Sequence, residues 1–461
     1  MIVQKFGGTS IGTSERILNV AKIIKENFEK EPVLAVVSAI SSYVKSEGTT
    51  SQLLKAAQCA IHNESYQEIL NSIRKNHNTI IKESIENKGN FKEIHDLAND
   101  ILDKLNQFLD ALTVIKELSP RSTDRIIRVG EKLSAIILGG ILRSLGLPAR
   151  FVDLSNIAPK NYTSPTPQFY KHLEVSLAQL LNEVLVEKQL PVITGFVGEI
   201  PGGIIDSIGR GYTDYTSSLI AAVLHVRELQ IWKEVDGIFT ADPKIVKEAE
   251  VLSVITPQEA AELTYFGSEV IHPFTMERVT RVHIPVRIKN TFSPETPGTL
   301  VSDTEKDSRL IKSITAKRNV IILNICSNRM LMAYGFMAKV FRSFEKYGVV
   351  IDLISTSEVS ISLTVEKCER INELIEELSS IGEVSFYSDK AILSMVGQNM
   401  RSTIGIAGKM FSCLSENGIN IEMISQGASE INISCVIQNE EVDKAVQALH
   451  KRFISSNSNF T

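Results

Sequence analysis

The sequence is poor in cysteine. Cys59, Cys326, Cys368, Cys413 and Cys435 are scattered, include no C-x-x-C pair and mostly sit among apolar neighbours. That spacing argues against a disulfide framework or a zinc site and leaves buried reduced thiols. An excess of charge of one sign is equally absent: 49 Lys+Arg stand against 54 Asp+Glu, the net charge is -5, and no long basic run occurs. Neither a nucleic-acid partner nor a membrane-surface partner is expected from that balance. The longest apolar runs, such as Ala135 to Leu142, are too short to cross a bilayer. A structured motif begins at residue 2, leaving no room for a signal or transit peptide, so a cytoplasmic protein is expected.

What the chain does contain is enough apolar material for several cores. With 461 residues and 43% hydrophobic content, about three domains of ordinary size are expected.

The first ten residues organise the rest. A short strand, Ile2 to Phe6, carries Lys5 near its end and breaks into Gly7-Gly8-Thr9-Ser10. Gly7 and Gly8 allow a sharp turn that brings backbone N–H groups against an anion, and Thr9 or Ser10 is placed to cap a helix starting near Ser14. Strand alternation puts Val3 and Lys5 on one face and Ile2, Gln4 and Phe6 on the other. The motif reads as a phosphate cradle with a mobile cation, or as an exposed lysine before an ordinary glycine turn.

Glu15 to Phe28 has helical spacing, and Val33 to Val37 is a buried-strand run ending at Ser38. Strand, helix, strand implies a right-handed parallel crossover with ligands beyond the strands' C-terminal ends, where Lys5, Gly7, Gly8 and Ser38 all lie. Thr50 either caps the helix Gln52 to Ile61 or holds a ligand oxygen. Two long helical patterns between Tyr66 and Val114 read as a structural hairpin. Ser122 to Leu145 is a further helix, capped by Ser122 or Thr123, with Gly130-Glu131 in its interior. A mid-helix glycine costs roughly 1 kcal/mol relative to alanine, so it marks either a ligand groove beside Glu131 or close helix packing. Ala149 to Asp153 and Pro191 to Gly198 are expected strands around the helix Pro167 to Val186.

Gly209-Arg210-Gly211 sets an arginine on a flexible turn before Thr213-Asp214, where a helix N-terminus favours anions. Asp214 serves as an ordinary N-cap, or pairs with Arg210 as an anion-binding site beside a metal nucleotide. The strand Leu229 to Trp232 runs into a polar stretch in which Lys233 and Lys244 are candidates for nucleotide phosphates and Phe239 for packing on a base. Ile284 to Ile288 is expected to close the sheet, and Pro294 to Ser308 marks a boundary. The remaining third repeats itself: Gly335, Lys339, Phe341 and Phe344 are matched by Gly405, Lys409, Phe411 and Leu414, and Gly348, Ile354 and Ser355 by Gly418, Ile424 and Ser425. Each unit reads strand, helix, strand, strand, helix, a small α/β sandwich whose edges favour pairing and a shared ligand groove.

Lys5-Phe6-Gly7-Gly8-Thr9-Ser10, the turn Gly209 to Asp214, the run Trp232 to Pro243 and Phe266-Gly267-Ser268-Glu269-Val270-Ile271-His272-Pro273 together closely resemble the aspartate kinases. The repeated tail resembles the ACT pair of their monofunctional forms, and the Ser41 to Thr50 loop with Ser268-Glu269 resembles the fungal-type branch. The resemblance implies an α/β fold: a three-layer amino acid kinase domain over residues 1–305, a linker over 306–317, and two ferredoxin-like ACT domains over 318–389 and 390–461. It implies phosphoryl transfer from Mg-ATP to the β-carboxylate of L-aspartate, giving 4-phospho-L-aspartate for lysine, threonine and methionine synthesis. Lys5 and Asp214 match the catalytic pair, Arg210 the group for the α-carboxylate, Glu131 that for the ammonium, and Ser38 and Thr50 further contacts. Gly7, Gly8, Thr9, Ser10, Lys233, Glu234, Phe239 and Lys244 match nucleotide positions, with Mg2+ arriving on ATP and not on protein ligands. Met330, Gly335, Phe336 and Met337, facing Asp352, Ser357 and Glu358, match the groove for an inhibitory lysine or threonine. A homodimer or homotetramer through the ACT domains is implied. Another amino acid kinase, acting on glutamate or carbamate, and an amino-acid sensor with an inactive kinase domain are the other readings.

Overall fold

The computed structural model describes residues 1–209, 211–265, 273–304, 309–326, 335–368, 370–426 and 431–455. The chain forms two compact units, one made of Met1–Gly237 with Ile271–Glu305, the other of Ile238–Val270 with Lys306–Thr461. Residues 238–270, expected within the domain over 1–305, group by their contacts with the C-terminal unit.

The first unit is a sheet between helices. Its strands are β1 (Ile2–Phe6), β2 (Val33–Val37), β3 (Ala149–Val152), β4 (Leu190–Thr194), β5 (Glu228–Lys233), β6 (Val286–Asn290) and β7 (Thr299–Val301). They lie in the order β3-β4-β2-β1-β5-β6-β7. The first six are parallel and β7 is antiparallel to β6, with Ile288 opposite Thr299. The strand at Val286–Asn290 therefore does not close the sheet as expected; the Gly298 turn returns the chain for one more strand. β1 sits centrally, with Lys5 opposite Val36 of β2 and Ile231 of β5. Connections leave β1 toward β2 on one side while β5 arrives on the other, so a crevice opens beyond the strands' C-terminal ends. All five residues of β1, β2 and β4 are buried, and β2 accordingly reads as a continuous apolar run.

Helices flank this sheet: α1 (Ser14–Phe28), α2 (Thr49–Ile61), α3 (Gln67–Ser84), α4 (Lys88–Ile115), α5 (Pro120–Ser144), α6 (Pro167–Val186), the one-turn α7 (Ile204–Ser207), α8 (Tyr212–Val223) and α9 (Pro273–Arg281). Their caps refine the sequence reading. Thr13, not Thr9 or Ser10, caps α1 by accepting from the Arg16 N–H at 3.3 Å, because Thr9 to Ile11 first make a separate 3-10 turn. Ser119, not Ser122 or Thr123, caps α5, accepting from the Ser122 N–H at 3.1 Å, and Pro120 occupies the first turn where no N–H is needed. Gly48 precedes α2, so Thr50 lies in the first turn. None of the described helices is long and apolar enough to cross a membrane.

In the second unit, β8 (Ile311–Cys326), β9 (Ile351–Thr356), β10 (Ser360–Glu366), β11 (Glu383–Gly397), β12 (Met423–Ser425) and β13 (Asn432–Gln438) form one antiparallel sheet in the order β9-β10-β8-β11-β13-β12. The helices Phe336–Tyr347 and Ile406–Glu416 occupy matching places in the two repeats, each preceded by a left-handed glycine, Gly335 at φ 90° and Gly405 at φ 81°. The long strands β8 and β11 each serve both repeats. The segment Ile311 to Lys317, expected as linker, pairs with Ile392 to Gly397, and Ile311 and Ile314 join the core of the second repeat with Leu393 and Leu449. The second repeat thus takes a strand from ahead of the first. The segment after residue 238 builds on the same core: Ala241 and Val246 are part of it, Ile314 N–H donates to the Thr240 carbonyl at 2.9 Å, and Thr240 Oγ1 lies 2.9 Å from buried His450 Nε2.

Candidate active site

The site of the first unit begins at the end of β1. Lys5 is 6% exposed, and its Nζ lies 2.6 Å from Asp214 Oδ1. An ammonium in so buried a place needs a counter-charge, and Asp214 supplies it. Asp214 does not cap α8: Gly211 precedes the helix and accepts from the Asp214 N–H at 2.9 Å, so the carboxylate sits in the first turn, where the helix dipole favours it.

Gly7 is open, with a built Cβ falling 4.0 Å from Lys5 Nζ and from Ser10 Oγ, whereas a Cβ on Gly8 would fall 2.1 Å from the Ala39 carbonyl oxygen. Only glycine lets the turn after β1 lie against the loop after β2. That contact is sealed by the Ser41 N–H, which donates to the Gly8 carbonyl at 3.0 Å.

α5 approaches the same loop from the other side. A Cβ on Gly130 would fall 2.6 Å from Ala39 Cβ and 3.3 Å from Thr49 Cγ2, which explains the mid-helix glycine by packing. Ser134 Oγ accepts from the Ile40 N–H at 3.0 Å one turn later. Glu131 is carried into a cleft of about 280 Å³ that Gly8, Ser38, Thr50 and Tyr212 also line. There Tyr212 donates its hydroxyl to Glu131 Oε1 at 2.5 Å, while Oε2 is buried with no hydrogen-bond partner among the described residues. Burial pushes Glu131 up to about 7, opposed by the Tyr212 hydroxyl. Burial and then the charge of Glu131 push Tyr212 well above its ordinary value. A ligand ammonium beside Oε2 would supply the missing donor.

Two turns before Glu131, buried Asp124 accepts from the Ile204 N–H at 3.0 and 3.3 Å through its two oxygens. It fixes the start of α7, whose Ile205 borders the cleft. Burial raises Asp124 to about 7.

On the far side of the cradle, the Lys233 carbonyl at the end of β5 accepts from the Thr291 N–H at 2.7 Å, and Thr291 Oγ1 lies 3.0 Å from Ser10 Oγ. Lys233 is thereby brought to the glycine turn. Glu234 follows it with a buried Oε1 that has no hydrogen-bond partner among the described residues, and Asp236 accepts from Asn290 Nδ2 at 2.8 Å. Among the described residues no group of three or more His, Cys, Asp or Glu side chains could hold a metal ion.

The structure therefore brings together Lys5, Gly7, Gly8, Thr9, Ser10 and Asp214, and beside them Ser38, Thr50 and Glu131. It does not bring every expected residue there. Arg210 and most of the run from Phe266 to Pro273, Glu269 included, lie outside the described residues. Phe239 and Lys244 belong to the second unit, where the Phe239 carbonyl accepts from Ser313 Oγ at 2.9 Å and the Lys244 N–H donates to Asp242 at 2.8 Å. Sequence reading missed Tyr212, Asp124 and Thr291. Tyr212 had a signal, an aromatic inside the glycine turn beside Asp214; Asp124 had one too, an acid two turns from Glu131 on the same helix face.

In the repeated tail, Met330 lies outside the described residues. Phe336, expected in the groove, is a core residue, 7% exposed among Leu323, Val340 and Leu363, with Met337 packed on that core. Asp352 is paired with Lys317 at 2.7 Å, and Lys317 also meets Glu366 at 2.6 Å. Ser357 and Glu358 are exposed on the turn between β9 and β10.

Comparison with known proteins identifies the family. The amino acid kinase family matches residues 1–290, and the ACT domain matches 323–371 and 393–453. The chain is 40% identical to the aspartokinase of Saccharomyces cerevisiae, covering 99% of this chain and 93% of that protein. It is 37% identical to aspartokinase 3, chloroplastic, of Arabidopsis thaliana, covering 99% and 82%. The crystal structure of E. coli aspartokinase III in complex with aspartate and ADP superposes with a TM-score of 0.81 at 28% identity, over 98% of this chain and 99% of that one. Its complex with lysine and aspartate gives 0.80 at 28% identity, over the same shares.

Proposed function

The chain belongs to the amino acid kinase family, as an aspartokinase with ACT regulatory domains, and from that premise we propose that it phosphorylates the β-carboxylate of L-aspartate with ATP, giving 4-phospho-L-aspartate and ADP. This is the step that commits aspartate to lysine, threonine and methionine synthesis. The observation that carries the reading is the Lys5 to Asp214 pair, 2.6 Å apart, beside a cleft in which Glu131 keeps one oxygen without a hydrogen-bond partner among the described residues.

Aspartate offers two carboxylates and an ammonium. Glu131 takes the ammonium, Arg210 the α-carboxylate, and Ser38 and Thr50 the remaining polar edges. A β-carboxylate oxygen attacks the γ-phosphorus, the bond from that phosphorus to the ADP oxygen breaks, and ADP leaves with the electron pair. The attacking group is already an anion, so no general base is required. The protein's work is alignment and neutralisation. Lys5, held straight by Asp214, meets the charge on the transferring group, and the turn Gly7 to Ser10 offers N–H groups to the phosphates. Lys233 and Glu234 complete the nucleotide contacts that this unit offers. Mg2+ would arrive on the nucleotide and supply positive charge to its phosphates.

The ACT pair binds an end-product amino acid, lysine or threonine, through Gly335, Met337, Ser357 and Glu358 with Met330, and joins chains into a homodimer or homotetramer. The E. coli relative was crystallised with lysine, which favours lysine. A coupled ADP-release assay tests the catalytic reading. Turnover with aspartate and little with glutamate is expected; turnover with glutamate would assign a different amino acid kinase, and none with either would make the chain a sensor.

A further inference from the structure

Away from the aspartate cleft, the first unit carries a cavity of about 510 Å³, larger than the cleft, that the proposed reaction does not use. Its size falls within the usual range for small-ligand sites, about 300–1,000 Å³. Arg121, Arg125 and Arg128 line it from one face of α5, at spacings that place them above one another. Lys160 comes from the loop after β3. Among the described residues the one carboxylate of the lining is Glu199, which meets Arg121 Nε at 2.6 Å and Arg125 Nε at 3.0 Å. Burial opposes its ionisation, but the two guanidinium groups hold its pKa below the usual carboxylate range. Arg128, half-buried, and Lys160, exposed, make no ion pair among the described residues. Four cations therefore face one acid.

The cavity wall opposite α5 is the loop Glu199 to Gly203. Gly202 and Gly203 hold left-handed φ of 87° and 92°, and a Cβ on Gly203 would fall 3.1 Å from Pro120 Cβ, so this loop is set tightly against the start of α5. Asp124 then pins the next residue, Ile204, from below. The concavity is thus built on ordered backbone. The α5 N-terminus adds the positive end of a 25-residue helix to the side-chain charges.

We propose that this cavity is a second anion site, distinct from the nucleotide cradle, that takes a small phosphate-bearing metabolite with two or more negative charges. Guanidinium forks match phosphate oxygens in pairs, and Arg128 and Lys160 have unspent positive charge. Net charge of the whole chain is -5, so the attraction is local to this concavity and suits a small ligand, not a polyanion.

Isothermal titration of the full chain with inorganic pyrophosphate tests it. Binding is expected to survive Lys5→Ala, which disables the cradle, and to weaken by about tenfold or more when Arg128→Ala and Lys160→Ala are added, each removing a charge-assisted contact. Lys160→Ala alone, at an exposed position, gives a smaller loss in a chain whose fold is not at risk. Aspartate turnover of the Arg128→Ala, Lys160→Ala variant with Lys5 intact stays at the wild-type level, separating this site from the catalytic one. Loss of all pyrophosphate binding on Lys5→Ala alone, or unchanged binding after both cavity substitutions, overturns the proposal. A phosphate ester bound more tightly than pyrophosphate identifies an organic metabolite; the reverse order assigns the inorganic ion.

Discussion

Tyr212 donates its hydroxyl to Glu131 Oε1 at 2.5 Å inside the cleft, and that bond opposes the effect of burial on the Glu131 carboxyl. Burial drives the carboxyl up to about 7, while the Tyr212 hydroxyl pulls it back down. Only the ionised form attracts an ammonium, so the KM for aspartate should rise as pH falls through about 7. Tyr212→Phe removes the group that favours the anion, and the midpoint of that profile should move to higher pH. A midpoint that stays in place in Tyr212→Phe would separate the two residues functionally.

The same carboxyl sets a stability trend. Its pKa in the folded chain lies above the ordinary 4.5, so between 4.5 and about 7 the folded state holds the extra proton. The stabilisation is complete below 4.5 and is lost as pH rises through about 7, by about 3 kcal/mol at most. Glu131→Gln removes a buried charge at alkaline pH. Its melting temperature relative to wild type should therefore be higher at pH 8 than at pH 5, measured without substrate. Equal differences at both values would mean Glu131 is ionised throughout.

Gly130→Ala should damage both stability and substrate binding. The added Cβ would fall 2.6 Å from Ala39 Cβ, forcing the loop after β2 away from α5. Overpacking of this kind costs about 1–3 kcal/mol, and the displaced loop carries Ser38 and leads into the first turn of α2, which carries Thr50. Adding Ala39→Gly should return part of the loss in thermal melts and in aspartate KM. No recovery in the double variant would place the strain elsewhere.

Arg210→Ala should raise the aspartate KM roughly 10- to 100-fold, the worth of a charge-assisted hydrogen bond of about 1.5–3 kcal/mol. The KM for ATP should stay near its wild-type value. An unchanged aspartate KM would remove Arg210 from the substrate site.

Much of the first unit was legible because its signals are local. The apolar run Val33 to Val37 and the helix Pro167 to Val186 were read to the residue, since a strand buried on both faces and a proline-led, threonine-capped helix announce their own limits. Lys5 and Asp214 were legible as a pair through the resemblance, although the helix position of Asp214 was not, because Gly211 takes over the cap without a side chain. Contacts between distant segments left weaker traces. Thr291 meets Ser10 only because β6 lies beside β5, and nothing near Thr291 in sequence signals that. The same holds for the segment 238–250, whose apolar Ala241 and Val246 pack on a core formed by residues after 311. Repeat matching found the two ACT units but not the strand exchange, because Ile311 to Lys317 lies ahead of the first repeat in sequence and pairs with Ile392 to Gly397 of the second.

The central claim is that Lys5, oriented by Asp214 at 2.6 Å, stabilises the phosphoryl group in flight and does not merely hold ATP. Steady-state turnover of Lys5→Ala with aspartate and Mg-ATP, set beside its ATP dissociation constant, tests this most directly. The account predicts that kcat falls by about two orders of magnitude or more while ATP affinity changes far less. Matching losses in kcat and ATP affinity, or a kcat left intact, would contradict it.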